Sequence, residues 1–162
     1  MKTKYLILTL VCCTFFNHIF GQKGRKTFAD TAFQVGDIVE AQPIFFGCTD
    51  SLGMYNHIDS TAKQIAEFLV KHPTYKIEIA CHSDTRGDAK TNLYITQRKS
   101  DDFKQKLISK YQINPDRLVA KGYGETQPLI SDQVIKSAKT KVEKETLHSK
   151  NMRTNVKILT IN

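Results

Sequence analysis

Two stretches of the chain repeat their hydrophobic residues at intervals of three and four, the spacing of one face of a helix. The first covers residues 55–72 and ends at Pro73, and the second covers residues 91–111 and ends before Asn114 and Pro115. The residues predicted to face inward are Ile58, Ala62, Ile65, Ala66 and Leu69 in the first helix, and Ile95, Ser100, Phe103 and Leu107 in the second. The pattern therefore predicts two main helices.

Four other stretches have the alternation or the composition of strands. Residues 75–82 alternate apolar and polar side chains, which predicts a strand with two different faces. Further strands are predicted over residues 38–46, 117–123 and 153–161, and Pro43 indicates an edge or irregular start for the first of them. Residues 47–53 are predicted as a turn, and Gly122 and Gly124 are expected to permit a second, tight turn. The order β-α-β-α-β-β predicts an α/β fold in which the two helices pack on a mixed sheet.

The first 21 residues have the organisation of a cleavable export signal. Two lysines precede an apolar stretch that ends at Phe16, and Gly21 is the predicted last residue before cleavage. The alternative is an uncleaved membrane anchor, but Asn17 and His18 interrupt the apolar stretch before it reaches the roughly 20 residues of a spanning helix. The sequence therefore favours cleavage and export to the periplasm.

Processing after Gly21 would leave about 141 residues, a length that suits a single domain. Residues 22–36 are polar and basic without sustained periodicity, which predicts a flexible lead-in to a domain over residues 37–162. Loss of the two leader lysines would lower the formal net charge of +8 by two, so the chain would remain basic. A basic surface attracts nucleic acid, anionic lipid or polyanionic wall polymers, and export argues against nucleic acid.

Residues 131–150 form a lysine-rich insertion in the predicted domain. They contain five lysines, together with Val134, Ala138 and Val142 at steps of four residues. The segment is either an amphipathic helix or a charged excursion into solvent, and its composition favours the excursion.

Cys48 and Cys81 are the cysteines that would remain after processing. In an oxidising compartment they either form a disulfide or stay as separate buried thiols, and both alternatives remain open. A nucleophilic Cys81 assisted by His82 is disfavoured, because adjacent residues of a strand point to opposite faces. A zinc site that combines these three residues with Asp84 is disfavoured as well, because the usual ligand spacings are absent. The sequence predicts no enzymatic activity, metal or cofactor.

Three short motifs follow one another along the second half of the chain. They are Cys81-His82-Ser83-Asp84 followed by Gly87 and Asn92, then Gly122-Tyr123-Gly124-Glu125, and finally Asn151-Met152-Arg153. In this order they resemble the motifs of the OmpA-like C-terminal peptidoglycan-binding domain family, over roughly residues 38–162. The chain departs from the family pattern at two positions. Lys99 stands where the family has an arginine on the second helix, and Met152 replaces one arginine of the closing pair.

The resemblance implies a site for diaminopimelate, the zwitterionic residue in the stem peptides of peptidoglycan. It assigns the ligand's amino group to Asp84 and its carboxylate to Lys99, with Ser83, Asn92 and Arg153 as lesser candidates. Charge-assisted hydrogen bonds suit such a ligand. A lysine keeps the positive charge of the family arginine but lacks its planar, bidentate geometry.

The predicted function is therefore a non-enzymatic wall anchor of the periplasm, associated with peptidoglycan and the outer membrane. Outer-membrane or other envelope proteins are further candidate partners. The alternative is a degenerate module that keeps the fold but binds another envelope protein instead of peptidoglycan. Lys99, Met152 and the basic insertion are the features that favour this alternative.

Overall fold

The computed structural model describes residues 25–41 and 51–161, and the side chains of its first helix from Asp59 onward. The strands are β1 (Arg25–Lys26), β2 (Ile38–Glu40), β3 (Lys76–His82), β4 (Leu118–Gly124) and β5 (Arg153–Thr160). The helices are α1 (Ser51–Lys71), α2 (Ala89–Tyr111), α3 (Asp132–Ser137) and α4 (Lys141–Asn151), with a 3₁₀ turn at Pro115–Arg117. None of these helices, within the described residues, has the length and apolar character needed to cross a membrane.

The described strands form one mixed sheet in the order β1-β2-β5-β3-β4. β3 pairs with β4 in parallel, which is the arrangement expected when a helix connects two neighbouring strands. β5 lies between β2 and β3 and is antiparallel to both. This architecture confirms the predicted α/β fold with two main helices on a mixed sheet.

The hydrophobic core lies between one face of the sheet and the helices α1 and α2. Strand register places Ile79 and Val39 beside Val156 on this face, and Phe103 and Leu107 of α2 are fully buried against it. Further members of the core are Ala62, Ile65, Ala66, Phe68, Leu69, Ile77, Cys81, Ile113, Leu118 and Ile158. The predicted stripe of α1 is thus confirmed from Ala62 onward, whereas the side chain of Ile58 lies outside the described residues.

The opposite face of β3 differs in chemistry from the core face, as the alternation predicted, but it is also buried. Glu78, Ala80 and His82 are at most 7% exposed. Long side chains of the adjacent strands cover them, including Tyr123, whose hydroxyl donates to Glu78 Oε1 at 2.8 Å. Both faces of β3 are therefore buried, although their chemistry differs.

α2 approaches β4 closely at Gly122, where a Cβ atom would lie 2.2 Å from the backbone nitrogen of Gln97. The Gly122 amide donates to Gln97 Oε1, and the Gly124 amide donates to Thr96 Oγ1, both at 2.9 Å. The expectation that Gly122 serves a tight turn is therefore wrong, because it lies within a strand and admits the helix backbone. The contact also rotates α2, so that Thr96 is buried and Ile95, predicted to face inward, is 40% exposed.

The N-terminal lead-in has more structure than its sequence predicted. Arg25–Lys26 pairs in parallel with β2, and the Phe28 and Phe33 rings lie 5.5 and 5.1 Å from the Phe68 ring in edge-on contact. Two aromatic residues spaced five apart produce no periodic signal, yet they bury apolar surface against α1. From residue 25 onward, the lead-in therefore packs against the domain.

The strand predicted over residues 38–46 corresponds to β2, which ends at Glu40 in the described residues. α1 begins at Ser51, so Gly53 lies in a helix instead of the predicted turn. The predicted leader over residues 1–21, the remainder of the first strand and Cys48 lie outside the described residues.

The lysine-rich insertion forms two short helices with separate caps. The Ser131 hydroxyl accepts from the Val134 amide at 3.4 Å, and the Thr140 hydroxyl accepts from the Glu143 amide at 3.1 Å. Ile135 and Ala138 are buried, whereas Val134 and Val142 are exposed. The expected charged excursion is therefore wrong, and so is a single amphipathic helix, because the chain breaks between α3 and α4.

We expect Gly122→Ala to lower the free energy of unfolding by about 3 kcal/mol, because the atoms that its Cβ meets belong to helix backbone and cannot move aside. Urea unfolding followed by circular dichroism measures this loss. Gln105→Ala, an exposed change on α2, should stay within about 0.5 kcal/mol of wild type. A loss below about 1 kcal/mol for Gly122→Ala would contradict the close approach.

Candidate functional site

Asp84 lies in the loop between β3 and α2 and is 5% exposed. The Arg86 amide donates to Asp84 Oδ1 at 3.0 Å and closes a tight turn. The Arg86 side chain contacts the other carboxylate oxygen, with Nε at 2.8 Å and a terminal nitrogen at 2.6 Å. Gly87 completes the loop at a φ of +96°, a conformation that glycine adopts without strain. The predicted ligand aspartate is thus a nearly buried carboxylate paired with its own loop.

Arg86 links Asp84 to the lysine-rich insertion. Its other terminal nitrogen lies 2.8 Å from Glu145 Oε2 on α4. The hydrogen bond to Asp84 raises the pKa of the Arg86 guanidinium above its ordinary value, with a further contribution from Glu145. The guanidinium therefore bridges a buried carboxylate and an exposed one.

α3 and α4 make two further contacts with the loop. His148 Nδ1 lies 3.7 Å from Asp84 Oδ2 and is buried without a hydrogen-bond partner among the described residues. The Thr85 hydroxyl donates to Asp132 Oδ1 at the start of α3.

Sequence reasoning missed Arg86, Glu145 and His148. The only local signal was the three-residue spacing of Glu145 and His148, which places both on one face of a helix.

Asn92 and Ser83 lie beside Asp84, as the resemblance implied. Asn92 Nδ2 is within hydrogen-bond distance of the backbone oxygens of Asp84 and Arg86, at 3.3 and 3.0 Å, and of Glu125 Oε2 at 2.7 Å. These contacts hold the loop on the first turn of α2. The Ser83 hydroxyl is buried and has no hydrogen-bond partner within the described part of the chain.

Lys99 lies two helical turns beyond Asn92 on the same stripe of α2, because seven residues turn a helix by nearly two full rotations. It is half-buried, and its charge opposes the effect of burial on the pKa of the Cys81 thiol. Among the described residues, Asp84 forms no ion pair with Lys99; its ionisable partners are Arg86 and His148.

Arg153 is separated from the other predicted site residues. It opens β5 opposite His82, on the sheet face that is turned away from α1 and α2. Its terminal nitrogens donate to the backbone oxygens of Asn151 at 3.2 Å and Gln127 at 2.9 Å. Burial lowers the pKa of Arg153 to about 10, with a smaller contribution from Arg25. The structure thus assembles Ser83, Asp84 and Asn92, and places Arg153 elsewhere.

Cys81 and His82 point to opposite faces of β3, because Cys81 pairs with Thr154 and His82 with Arg153. Cys81 is a buried free thiol whose pKa is raised, chiefly by burial. A raised pKa lowers the thiolate fraction that a nucleophile needs. In the described residues, no group of three histidine, cysteine, aspartate or glutamate side chains is arranged to hold a metal ion.

His82 stacks on Tyr123, with ring centroids 5.0 Å apart and planes 6° from parallel. Burial, and secondarily the charge of Arg153, lowers the pKa of His82 to about 3. Its Nδ1 atom has no hydrogen-bond partner among the described residues. His82 is therefore a neutral, buried imidazole at neutral pH.

Comparison with known proteins identifies a family and a fold. The sequence profile of the OmpA family matches residues 49–141. Outer membrane porin F of Pseudomonas fluorescens is 37% identical over 67 residues, which are 41% of this chain and 20% of that protein. The peptidoglycan-associated lipoprotein of Buchnera aphidicola is 33% identical over 89 residues, which are 55% of this chain and 45% of that one. The chain therefore spans less than half the length of these two relatives.

A solved structure has the same fold. The periplasmic domain of MotB from Helicobacter pylori aligns with a TM-score of 0.57 at 20% identity, over 86% of this chain and 87% of that chain. At this level of identity the likeness concerns the fold alone.

We expect stability to fall between pH 6.5 and 5 through His82. Its folded pKa of about 3 lies below its unfolded value of about 6.5, so in this range the unfolded chain binds a proton that the folded chain does not. Stability is fully present above pH 6.5 and falls by at most about 1.4 kcal/mol per pH unit. Urea unfolding at both pH values measures the loss.

His82→Gln should flatten this dependence, whereas His72→Gln should retain it. Carboxylates contribute little in this window, because their unfolded pKa values lie near 4. An equal loss of stability in wild type and His82→Gln would show that His82 is not the titrating group.

Proposed function

Because the chain belongs to the OmpA family, we propose that it binds peptidoglycan non-covalently through diaminopimelate and acts as a structural wall anchor rather than an enzyme. The observation that carries this proposal is the nearly buried Asp84 carboxylate in the loop that opens α2. A carboxylate held in this way is preorganised to accept a ligand ammonium group. The match to a relative named as a peptidoglycan-associated lipoprotein supports the same ligand.

In the proposed complex, Asp84 accepts hydrogen bonds from the ligand ammonium group and Lys99 donates to its carboxylate. Opposite charges on the two ends of the site suit a zwitterion, since charge-assisted hydrogen bonds are stronger than neutral ones. Ser83 is a lesser contributor, because its buried hydroxyl lacks a partner among the described residues and lies next to Asp84. Asn92 positions the loop, and Arg153 belongs to a different surface.

Arg86 must share Asp84 with the ligand. Its side chain is 46% exposed and Glu145 is 54% exposed, so the guanidinium has room to move toward Glu145. Ligand binding then exchanges one ion pair for another: the ammonium group takes Asp84 Oδ2, and Arg86 stays on Glu145. α4 thereby becomes part of the binding site.

The proposed location is the periplasm, at the peptidoglycan and the outer membrane. The relatives include an outer membrane porin, and the aligned MotB structure is a periplasmic domain. The chain matches only part of each of the two relatives. We also propose outer-membrane or other envelope proteins as partners of the chain.

A second candidate function is binding to an envelope protein in place of the wall. Leu93, Tyr94 and Ile95 are consecutive on α2 and are 49, 60 and 40% exposed. Exposed apolar side chains in one cluster mark interaction surfaces more often than isolated ones do. A chain that leaves sacculi unbound but retains an envelope protein through this cluster would favour the second function.

We expect the purified chain to sediment with diaminopimelate-type sacculi at moderate salt, and free diaminopimelate to compete. Asp84→Ala should weaken binding at least tenfold, because it removes the acceptor for the ligand ammonium group. Asp102→Ala, which removes an exposed carboxylate from α2, is the matched control and should bind as wild type does. If wild type stays in the supernatant, or Asp84→Ala sediments equally and diaminopimelate displaces neither, the proposed site is wrong.

We also expect substitutions of Arg86 and of Glu145 to have opposite effects on the affinity for diaminopimelate. Arg86→Ala removes the competitor for Asp84 and should tighten binding about threefold, whereas Glu145→Gln removes the alternative partner of Arg86 and should weaken it about threefold. In the Arg86→Ala background, Glu145→Gln should have no further effect. Titration of diaminopimelate followed by calorimetry measures all four affinities.

Glu67→Gln removes one negative charge from α1, as Glu145→Gln does from α4, and is the control for general electrostatics. Weaker binding by Arg86→Ala would instead make Arg86 a direct ligand contact. Thermal unfolding of each variant verifies that loss of the ion pair between Arg86 and Asp84 has not unfolded the protein.

A further inference from the structure

Two cavities lie on the sheet face that is turned away from α1 and α2, and Arg153 and Asn155 line both. The larger, of about 440 Å³, lies between β1, β2 and β5 on one side and Leu129, Ile130 and the end of α4 on the other. The smaller, of about 140 Å³, extends along β3 past His82 and Tyr123. The Arg153 side chain therefore stands between two open spaces.

Arg153 makes hydrogen bonds to neutral acceptors. Besides the backbone oxygens of Asn151 and Gln127, it donates from Nε to Asn155 Oδ1 at 3.2 Å, in the amide orientation that satisfies both ends of Asn155. A guanidinium has five N–H groups. Counted over the described residues, these three bonds leave one N–H on each terminal nitrogen for another acceptor.

The larger cavity carries more positive than negative charge. Among the described residues, its charged lining consists of Arg25, Lys150, Arg153 and one carboxylate, Glu40. Glu40 forms an ion pair with Arg25 at 2.8 Å, so it offsets one of these positive charges. Burial, followed by repulsion from Arg25, disfavours the charged form of Arg153. An anion bound in the cavity would favour the charged form of Arg153, as Glu40 already does.

The smaller cavity adds a polar atom that has no partner. His82 is 6% exposed, and its Nδ1 lacks a hydrogen-bond partner in the described part of the chain. Because the ring is neutral at physiological pH, this atom adds hydrogen-bonding capacity without further charge. Glu78, the carboxylate of this cavity, accepts from the Tyr123 hydroxyl.

The larger cavity also has an apolar wall, formed by Ala41, Leu129 and Ile130. A hydrated inorganic ion makes no use of such a wall, whereas a short aliphatic chain does. We propose that this cavity binds a carboxylate that carries a short aliphatic group, with Arg153 as its anchor and Arg25 and Lys150 at its rim. This site is separate from Asp84 and does not rest on the proposed wall binding.

Two sources supply a ligand of this chemistry: a small aliphatic acid, or the C-terminal end of a peptide. Butyrate represents the first, and acetyl-alanyl-alanine with a free carboxylate represents the second. The amidated form of the same peptide and butylamine control for charge. Titrations of the ¹⁵N-labelled full chain at moderate salt report on the backbone amides of the cavity.

We expect butyrate to shift the amides of Ile130, Lys150 and Asn155 with one common dissociation constant, and butylamine to leave them unchanged. Arg25→Gln and Lys150→Gln should each raise that constant about threefold. Lys144→Gln, an exposed lysine of α4 outside the lining, should leave it unchanged. The rim variants avoid Arg153, whose loss would also remove its bonds to Asn151 and Gln127.

Asp84→Ala should retain butyrate binding, so failure of the wall site and failure of this site are distinguishable. A peptide carboxylate that binds tighter than butyrate, with no binding by its amide, would identify a chain end as the ligand. Amide shifts at many lysines across the surface would indicate general charge attraction and overturn the proposal. A Lys144→Gln effect on the dissociation constant equal to that of the rim variants would do the same.

Discussion

The contact between α2 and β4 at Gly122 sets the position of the helix on which the candidate site is built. Because Gly122 has no side chain, the helix backbone comes within contact distance of the strand. Hydrogen bonds from the backbone amides of β4 to the Gln97 and Thr96 side chains fix the rotation of α2. That rotation brings Asn92 onto the loop that carries Asp84. It also places Lys99 two turns further along the same stripe. A close contact of backbones therefore determines where charges lie.

A chain of alternating charges runs outward from the loop. Asp84 is nearly buried, Arg86 is half exposed, and Glu145 is the most exposed of the three. Burying a lone carboxylate is costly, and a hydrogen-bonded guanidinium offsets that cost while remaining able to move. Arg86 joins the insertion to Asp84, the residue that the proposed ligand would contact. Local stability and ligand access are thus linked at one side chain.

Periodicity was sufficient to predict α1, α2, β3 and β5, because each repeats its apolar residues along the face that packs in the core. It was not sufficient where a polar residue is buried for a specific bond. Thr96 faces β4 because its hydroxyl accepts from Gly124, which leaves Ile95 exposed despite its hydrophobic character. Phe28 and Phe33 pack singly on Phe68, and isolated aromatic contacts leave no periodic pattern.

The candidate site was predictable only within its motif. Ser83, Asp84 and Asn92 are close in sequence and lie together, as the resemblance implied. Arg86 and Glu145 are 59 positions apart, and a pairing at that separation has no local signature. Arg153 closes the third motif, yet strand alternation turns it to the sheet face away from α1 and α2. Membership in the motifs therefore did not by itself indicate proximity to Asp84.

The short parallel pairing of β1 with β2 has a mechanical consequence. β1 is two residues long and lies at the edge of the sheet, on the far side of β2 and β5 from the strand that leads to Asp84. A pulling force transmitted through the residues before Arg25 meets this strand first, together with the ion pair between Arg25 and Glu40. Once they yield, the load passes to the rings of Phe28 and Phe33 on Phe68, while the loop at the other side of the sheet stays unloaded. The edge of the sheet can therefore lengthen under tension before force reaches the loop that carries Asp84.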